Sequence, residues 1–438
     1  MKKSLFLVAA AISAMSVSAP ASAANIILRD TSGSFASQGA RGQAALFAFQ
    51  KAANYWNTVL RNDVTINLEI GFAALPPGVL GSTGSSQQDA RVSDVYRQLA
   101  TTGTTALDRV AAANLFPLNS NGSLKFRTNA PLAAANNNGI IGGGAQGNVT
   151  FLDNNNSFNN NFLSANTANL KALGIAVDFN NPNTTVGCSS TFSQADGCIN
   201  FSSTFNFDFD PTNGIDDGAF DFTGIAIHEI GHALGFVSGV DTYDFVAGNA
   251  GFGRFQLDNF SIFSVFDLFR YGNGFDPITG DRLLQLSANR AAFFSIDGST
   301  PFNFGNAGVA EFTNLSTGRF VGDGQQASHF KDNDAFVDDS GICFISSRQI
   351  GILDPTAVPC EVLTVTSNDL AAFDAIGYNL DIDVLRNPGY TFNTAQVFGL
   401  AGLAAVPEPA TWAMMLVGFG FAGAAARRRR TRVNVSFA

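Results

Sequence analysis

Histidine, methionine and cysteine are scarce in this 438-residue chain, which contains three, four and four of them, respectively. All four methionines lie near the two ends, at Met1, Met15, Met414 and Met415, so the body between them has none. No two cysteines have the CxxC spacing that zinc fingers use. The cysteine spacing therefore argues against a zinc finger.

Basic residues are in deficit, with 25 lysines and arginines against 35 acidic residues and a net charge of −10. Most of the positive charge lies near the ends. Without residues 1–23 and 406–432, which hold two lysines, five arginines and one glutamate, the body has 18 basic and 34 acidic residues, a net charge of −16. Such an acidic body argues against nucleic acid as a partner and favours solubility outside the cell.

The first 23 residues have the composition of a secretory signal peptide. Lys2 and Lys3 precede an apolar stretch at residues 5–17, and small residues at positions 21–23 form a cleavage site. The alternative, an N-terminal membrane anchor, is less favoured because the apolar stretch is too short to span a bilayer. The pattern predicts export of the remaining chain.

The other end also carries a targeting pattern. The motif Pro407-Glu408-Pro409 precedes an apolar segment at residues 412–426 and an arginine cluster at residues 427–430. This arrangement resembles the PEP-CTERM sorting signal of Gram-negative bacteria. The resemblance implies recognition and cleavage at the inner membrane by an exosortase-type enzyme, with the body secreted or attached to the cell surface or matrix. A permanent single-pass anchor is the alternative. We expect a linker at residues 396–405 and a sorting tail at residues 406–432.

The four cysteines predict two disulfides, because an exported protein matures in an oxidising compartment. The simplest pairing is local and joins Cys188 to Cys198 and Cys343 to Cys360. The sequence leaves the two other pairings open.

The body, residues 24–395, is long enough for one large catalytic domain with two lobes. Apolar periodicity predicts helices at residues 43–60, 89–99 and 105–113 and a strand at residues 64–70. Asn- and Gly-rich loops at residues 119–166 surround a short strand predicted at residues 148–152. Phe-rich segments continue to residue 330, and residues 381–405 suggest a short strand before the tail. This order predicts an α/β fold with a loop- and β-rich C-terminal lobe.

Two of the three histidines lie in the motif His228-Glu229-Ile230-Gly231-His232, which is the HExxH signature of zinc proteases. On a helix at about residues 222–236, positions 228 and 232 lie one turn apart on the same face and can bind one ion. Glu229 then lies next to the metal, where it can take a proton from the attacking water. Gly235 permits the left-handed turn that ends the helix.

Catalytic zinc has three protein ligands, so a third is needed. The short HExxHxxGxxH spacing would place it at position 238, which is Ser238. The remaining histidine, His329, is the leading candidate because neutral imidazole suits zinc. Asp241, Glu311 and Glu361 remain alternatives.

An acidic stretch before the helix suggests a second metal site. Its carboxylate and amide side chains surround a glycine and could bind Ca²⁺, although the spacing is not that of an EF-hand: Asp208, Asp210, Asn213 and Asp216. The alternative is a polar turn that leads into the helix, with its N-cap at position 221 or 223.

Together these motifs resemble the leishmanolysin-like metzincins over residues 220–380. After HExxHxxGF, the third histidine follows a long insertion and precedes an aromatic residue, here His329-Phe330. A Gly-Ile-Leu-Asp-Pro segment and a helix that ends in Gly377-Tyr378 come next. The resemblance implies a zincin fold with a mixed sheet and an active-site helix. Because the body contains no methionine, the resemblance places Leu353 at the Met-turn position. Leucine can fill the same apolar space, since its volume nearly matches that of methionine.

The expected function is zinc-dependent hydrolysis of protein or peptide substrates, with His228, His232 and His329 as ligands and Glu229 as the general base. One alternative is a non-catalytic surface or exopolysaccharide-matrix protein with a structural zinc site. The other is an adhesin whose Asn/Gly-rich loops bind polysaccharide. The sequence contains no obvious dimerisation element and leaves the oligomeric state open.

Overall fold

The helix that carries the histidine motif packs against a mixed four-stranded sheet. The structure is a computed structural model, and it describes residues 23–129, 140–142, 150–187, 194–249, 254–276, 280, 282–302, 313–338, 343–345 and 349–400. These described residues form one compact unit.

The α-helices of the described chain are α1 (Ser34–Ser37), α2 (Gly39–Val59), α3 (Val92–Thr102), α4 (Ala106–Ala113), α5 (Phe158–Asn161), α6 (Thr167–Ala172), α7 (Phe222–Leu234), α8 (Val240–Gly248), α9 (Ser367–Ala375) and α10 (Thr394–Gly399). Short 3-10 helices lie at Leu257–Asn259 and Phe266–Phe269. No helix among the described residues combines the length and the apolar character that crossing a membrane requires.

The strands of the described chain are β1 (Asn25–Arg29), β2 (Thr65–Ala73), β3 (Gly81–Ser85), β4 (Gln87–Arg91), β5 (Phe126–Asn129), β6 (Ile140–Gly142), β7 (Thr150–Asp153), β8 (Phe162–Asn166), β9 (Thr184–Thr185), β10 (Gly197–Ser202), β11 (Phe207–Asp208), β12 (Phe220–Asp221), β13 (Arg254–Gln256), β14 (Arg270–Phe275), β15 (Arg282–Leu284), β16 (Ala292–Phe294), β17 (Asn314–Leu315), β18 (Phe336–Val337), β19 (Cys343–Phe344), β20 (Thr364–Thr366) and β21 (Thr391–Asn393).

The main sheet has the strand order β1-β2-β10-β3. β1, β2 and β10 are parallel, whereas β3 runs antiparallel to β10 and forms one edge. Parallel neighbours need a crossover, and α1 and α2 supply it between β1 and β2. β2 fits its central position because every second residue from position 66 to position 72 is a large apolar residue, and all four side chains are buried.

The long helix α2 packs against α7 and fixes it relative to the sheet. The Trp56 indole donates a hydrogen bond to the backbone oxygen of Ile227 at 3.2 Å, inside the histidine helix. Phe49 makes edge contacts with the rings of Phe201 on β10 and Phe222 on α7. Burial of one phenylalanine side chain stabilises the folded state by about 1.5–3 kcal/mol relative to leaving it exposed to water. The histidine helix therefore sits on a rigid, apolar base.

The described chain after α7 combines short strands with the helices α8, α9 and α10. The sequence predicts short strands for this lobe, and the resemblance implies the helix before Gly377, but neither predicts α8 or α10. The largest sheet of this lobe has the order β15-β14-β16-β17 and is antiparallel throughout. The hairpin of β18 and β19 is tied to the following segment by the Cys343–Cys360 disulfide. One of the two predicted disulfides is thus confirmed. Cys198 is also disulfide-bonded, and Cys188, its predicted partner, lies outside the described residues.

Several predicted elements need their bounds moved. The predicted helix at residues 89–99 begins only at Val92, because residues 87–91 form β4 and pair with β8. The predicted strand at residues 148–152 is observed as β7, with positions 148 and 149 outside the described residues. The predicted linker at residues 396–405 begins within α10, whose N-cap Asn393 accepts a hydrogen bond from the Gln396 amide; residues 401–405 are not described.

Candidate metal centre

The histidine helix α7 has specific hydrogen bonds at both ends. The Asp221 carboxylate caps the N-terminus by accepting from the Gly224 amide at 2.9 Å, and burial raises its pKa to about 6. At the other end Gly235 adopts φ 126°, a conformation that favours glycine, and the Phe236 amide donates back to the Gly231 oxygen at 3.1 Å. The helix is fixed over its whole length, so the two histidines one turn apart have a defined spacing.

The three histidines converge on one point. The Nε2 atom of His232 lies 3.0 Å from Nε2 of His228 and 3.1 Å from Nε2 of His329, and the remaining pair is 3.3 Å apart. His329 is 97 residues beyond His232, so the fold brings a distant segment to the helix. Among the described residues, this is the only group of three or more His, Cys, Asp or Glu side chains whose ligand atoms all lie within 4.8 Å of one another.

Each imidazole is oriented through its other nitrogen. Nδ1 of His228 lies 2.8 Å from the Ile352 oxygen, Nδ1 of His232 lies 2.7 Å from the Phe236 oxygen, and Nδ1 of His329 lies 3.2 Å from the Gln326 oxygen. A carbonyl oxygen can only accept, so all three Nδ1 atoms carry the proton. In the neutral ring Nε2 then carries no proton and has a free lone pair.

Three Nε2 lone pairs that face one another have no hydrogen to share, and they fit a bound cation. Burial lowers the pKa of His228 to about 3 and that of His232 to about 4, and it lowers the pKa of His329 well below its usual value. All three rings are therefore neutral at pH 7, as metal ligands must be. Zinc–nitrogen bonds of about 2.0–2.1 Å at a tetrahedral ion require nitrogen separations of about 3.3 Å, close to those observed.

Glu229 lies next to the triad and is held by the edge strand β3. Its Oε2 atom accepts a hydrogen bond from the Thr83 hydroxyl at 2.6 Å, and burial raises the pKa of the carboxyl to about 7. A Cβ atom at Gly81 would lie 2.6 Å from Glu229 Oε1, so only glycine leaves room for the carboxylate there. Sequence reasoning did not identify Thr83 or Gly81, because the Gly-Ser-Thr-Gly-Ser segment has no strand-like alternation of apolar residues.

Leu353, the residue predicted at the Met-turn position, is fully buried near the histidine helix. The Asp369 carboxylate at the start of α9 fixes this turn by accepting from the Ile352 amide at 2.9 Å and the Leu353 amide at 3.2 Å. The Ile352 oxygen in turn accepts from His228, so α9 determines the orientation of the first ligand. The Tyr378 hydroxyl donates to the Leu234 oxygen at 2.8 Å and packs the end of this segment against α7.

Of the three alternative ligands, the two in the described chain do not join the triad. The Asp241 carboxylate accepts hydrogen bonds from the Ala327 and Ser328 amides at 2.6 and 3.1 Å. Glu361 accepts from Asn333 at 3.5 Å, and burial raises its pKa to about 7. Glu311 lies outside the described residues.

The predicted calcium ligands lie in a turn before α7, where their carboxylates bind backbone groups. Asp208 accepts from the Asp210 and Asp216 amides at 2.8 and 2.9 Å, and Asp210 accepts from the Thr212 hydroxyl at 2.6 Å. The carboxylates of this turn are not among the groups of the described chain that meet within 4.8 Å, and Asn213 is exposed. Asp221 is the N-cap, as the alternative interpretation predicts.

The triad opens into a cleft of about 670 Å³. One wall is the segment at residues 77–83, which includes the start of β3. The other walls come from residues 319–329 and from the segment around the Leu353 turn, including Gln349, Asp354 and Leu363. The strand predicted upstream of the helix, β7, does not line this cleft. The three histidines thus line a groove large enough for several side chains.

Residues 405–430 match the PEP-CTERM protein-sorting motif, which confirms the prediction for the C-terminal tail. The motif implies recognition by an exosortase-type processing enzyme, export, and processing of the C-terminus at the membrane. The chain matches no curated protein and no solved structure. The motif covers the tail alone, so the function of the body is inferred from its own geometry.

Proposed function

We propose that this chain is an exported zinc-dependent endopeptidase. The observation that carries the proposal is the convergence of three Nε2 atoms within 3.3 Å, each on a ring whose Nδ1 atom faces a backbone oxygen. Protein and peptide chains are the substrates that suit the open groove around this centre. The sorting tail supports action on the cell surface or in the extracellular matrix of a Gram-negative bacterium.

The ligand count favours catalysis over a structural clamp. Structural zinc sites are closed by four protein ligands, whereas catalytic sites have three and leave one position open. In the described chain the group holds three histidines and no fourth His, Cys, Asp or Glu. The open side faces the cleft, where Glu229 lies. A site that only stabilises the fold has no need for a carboxylate at that position.

The chain's own residues divide the work of hydrolysis. Zinc bound by the triad would polarise the scissile carbonyl and lower the pKa of a water molecule toward about 7. Glu229 takes the proton of the attacking water and returns it to the leaving amine. The Thr83 hydroxyl holds Oε2, so Oε1, which makes no hydrogen bond within the described chain, is the oxygen that moves the proton. Among the described residues β3 is an edge strand, and an extended peptide can pair with the backbone of such a strand.

The arrangement also supports a leishmanolysin-like metzincin fold for the catalytic domain. The sheet is mixed and has its antiparallel strand at the edge next to α7. Gly235 turns the chain at the end of the helix, the third histidine arrives after a long insertion, and a buried leucine occupies the Met-turn position. This order of features along the chain is the reason for proposing the family.

Cleavage and zinc content, measured together on the exported chain, test the function. We expect residues 24–438, purified in detergent micelles, to bind one zinc ion and to cleave casein and a fluorogenic peptide library. Glu229→Gln should retain zinc and lose cleavage by at least about 100-fold, the usual contribution of a general base. His329→Ala should lose both. Firm zinc binding without cleavage would favour the structural-clamp alternative, and zinc retained in His329→Ala would place the third ligand elsewhere.

A further inference from the structure

We propose that Asp241 is a positioning residue that anchors the segment carrying His329 to helix α8, so that the third ligand is held in place before metal binds. The inference rests on the metal centre proposed above and assigns a role to a residue outside it. The segment in question, residues 326–330, is called the ligand arm below. It reaches the triad from a part of the chain that has no regular structure except isolated bridges.

Asp241 lies in the first turn of α8, just after the histidine helix. One carboxylate oxygen accepts from the Ala327 amide at 2.6 Å, and the other accepts from the Ser328 amide at 3.1 Å and from the Ser328 hydroxyl. One side chain thus fixes three donors in the two residues that precede His329. Hydrogen bonds to an ionised acceptor are each stronger than neutral ones.

Ser238, at the position where the short-spaced pattern would place the third ligand, contributes to the same anchor. Its amide donates to the Ser328 hydroxyl oxygen at 2.8 Å, and its own hydroxyl donates to Asp267 at 2.6 Å. The turn after α7 therefore binds the ligand arm instead of the metal. This explains why a serine at 238 is compatible with a three-histidine site.

A buried arginine completes the support of the ligand arm. Arg270 donates to the Ala327 oxygen at 3.2 Å and to the Ser316 oxygen at 2.7 Å, and its charge interacts with Asp241 and Asp267. Farther along the arm, the His329 oxygen accepts from the Ser316 amide at 3.0 Å, and the Phe330 amide donates to the Leu353 oxygen at 3.0 Å. Asp241 is the one carboxylate in the described chain that hydrogen-bonds the arm directly.

The next turn of α8 offers a matched control. Asp244 accepts from the Phe320 and Val321 amides, both at 2.8 Å. It therefore binds two consecutive amides of a neighbouring loop, as Asp241 does, but that loop carries no ligand. Asp241→Asn and Asp244→Asn each replace one carboxylate oxygen that accepts from a backbone amide. Asp241 also binds the Ser328 hydroxyl and interacts with Arg270, so Asp241→Asn should cost more stability, and the free energy of unfolding is measured for both variants.

The experiment compares zinc dissociation and amide exchange in residues 24–438. We expect Asp241→Asn to bind zinc about 10- to 100-fold more weakly, the usual effect of changing a residue that orients a ligand, as measured by competition with a chelator. Asp244→Asn should stay within about threefold of wild type. Ser328→Ala removes only the hydroxyl that joins Asp241 to Ser238; it should also weaken zinc binding, and it serves as the second variant if Asp241→Asn fails to fold.

Hydrogen exchange in the metal-free protein separates this inference from the proposed function. Asp241→Asn should lose protection at the Ala327 and Ser328 amides, and Asp244→Asn should lose it at positions 320 and 321 instead. Zinc affinity in Asp241→Asn equal to that of wild type would overturn the inference, as would unchanged protection at positions 327 and 328. If wild type binds no zinc, the proposed function fails, and the exchange data alone then decide whether Asp241 anchors the arm.

Discussion

Replacing Thr83 by valine should impair Glu229 as the proposed general base while leaving the proposed metal centre intact. Valine keeps the shape of threonine and removes only the hydroxyl, which lies 2.6 Å from Glu229 Oε2 and 2.9 Å from the Glu229 backbone oxygen. A hydrogen bond to a charged group contributes about 1.5–3 kcal/mol. If that bond holds the carboxylate in its working position, kcat/KM falls by about 10- to 100-fold. In the described chain the Thr83 side chain hydrogen-bonds Glu229 and no histidine, so zinc content should not change.

The pH profile distinguishes a positioning effect from general destabilisation. Burial raises the pKa of Glu229 to about 7, and the Thr83 hydrogen bond opposes that shift because it stabilises the charged form. Loss of the hydroxyl therefore raises the pKa further. The acid limb of kcat/KM should move to higher pH in Thr83→Val, with part of the activity recovered above the new pKa.

Ser85→Ala is the matched control for Thr83→Val. Ser85 lies on the same face of β3, and its hydroxyl donates to the His232 backbone oxygen on α7 at 3.2 Å. In the described chain no hydrogen bond joins the Ser85 side chain to Glu229. Both variants lose a strand-to-helix hydrogen bond, at a net cost of about 1 kcal/mol for the neutral bond of Ser85 and about 1.5–3 kcal/mol for the bond of Thr83 to a carboxylate. Only Thr83→Val should shift the acid limb in fluorogenic-peptide assays from pH 6 to 9. Identical profiles for wild type and Thr83→Val would refute the role of Thr83.

Two further predictions concern the turn next to α7. Leu353→Ala should lower the free energy of unfolding by about 2–5 kcal/mol because it opens a cavity in a fully buried site. Leu353→Met should cost less than about 1.5 kcal/mol and should retain zinc. Equal urea midpoints for the two variants would contradict this prediction. Asp369 has a folded-state pKa raised by burial to about 6, so its contribution to stability is complete below the unfolded pKa of 3.8 and is lost as pH rises through 6. The destabilisation by Asp369→Asn should accordingly be larger at pH 4 than at pH 7, by at most about 3 kcal/mol, and a difference that does not vary with pH in chemical denaturation would refute the assignment.

The sequence predicts the parts of the site that have a local sequence motif or only one candidate residue. The HExxH spacing defines one face of one helix, so the positions of His228 and His232 follow from helical geometry alone. The approach of His329 to this helix was predictable because it is the single remaining histidine. The pairing of Cys343 with Cys360 was predictable because the two cysteines are close in sequence. The small number of histidines and cysteines therefore restricted the candidate residues.

The edge strand escaped prediction for a physical reason. β3 consists of glycine, serine and threonine, and its backbone pairs with β10, about 115 residues later in the chain. Its conformation is determined by that partner and by the close approach of Glu229 to Gly81, neither of which leaves a periodic trace in the segment itself. Glycines in a strand often mark such a close approach, and this was the one available signal.

The orientation of the three imidazoles could not be predicted from the sequence. The three imidazoles are oriented by the backbone oxygens of Ile352, Phe236 and Gln326, and every residue type carries such an oxygen. The residues that can be recognised act one step farther away, because Asp369 fixes the backbone of the Leu353 turn and Asp241 fixes the ligand arm. It follows that substitutions at positions 352, 236 and 326 should disturb the metal centre only through packing. Substitutions at the two aspartates should disturb it through geometry, although neither side chain touches a histidine.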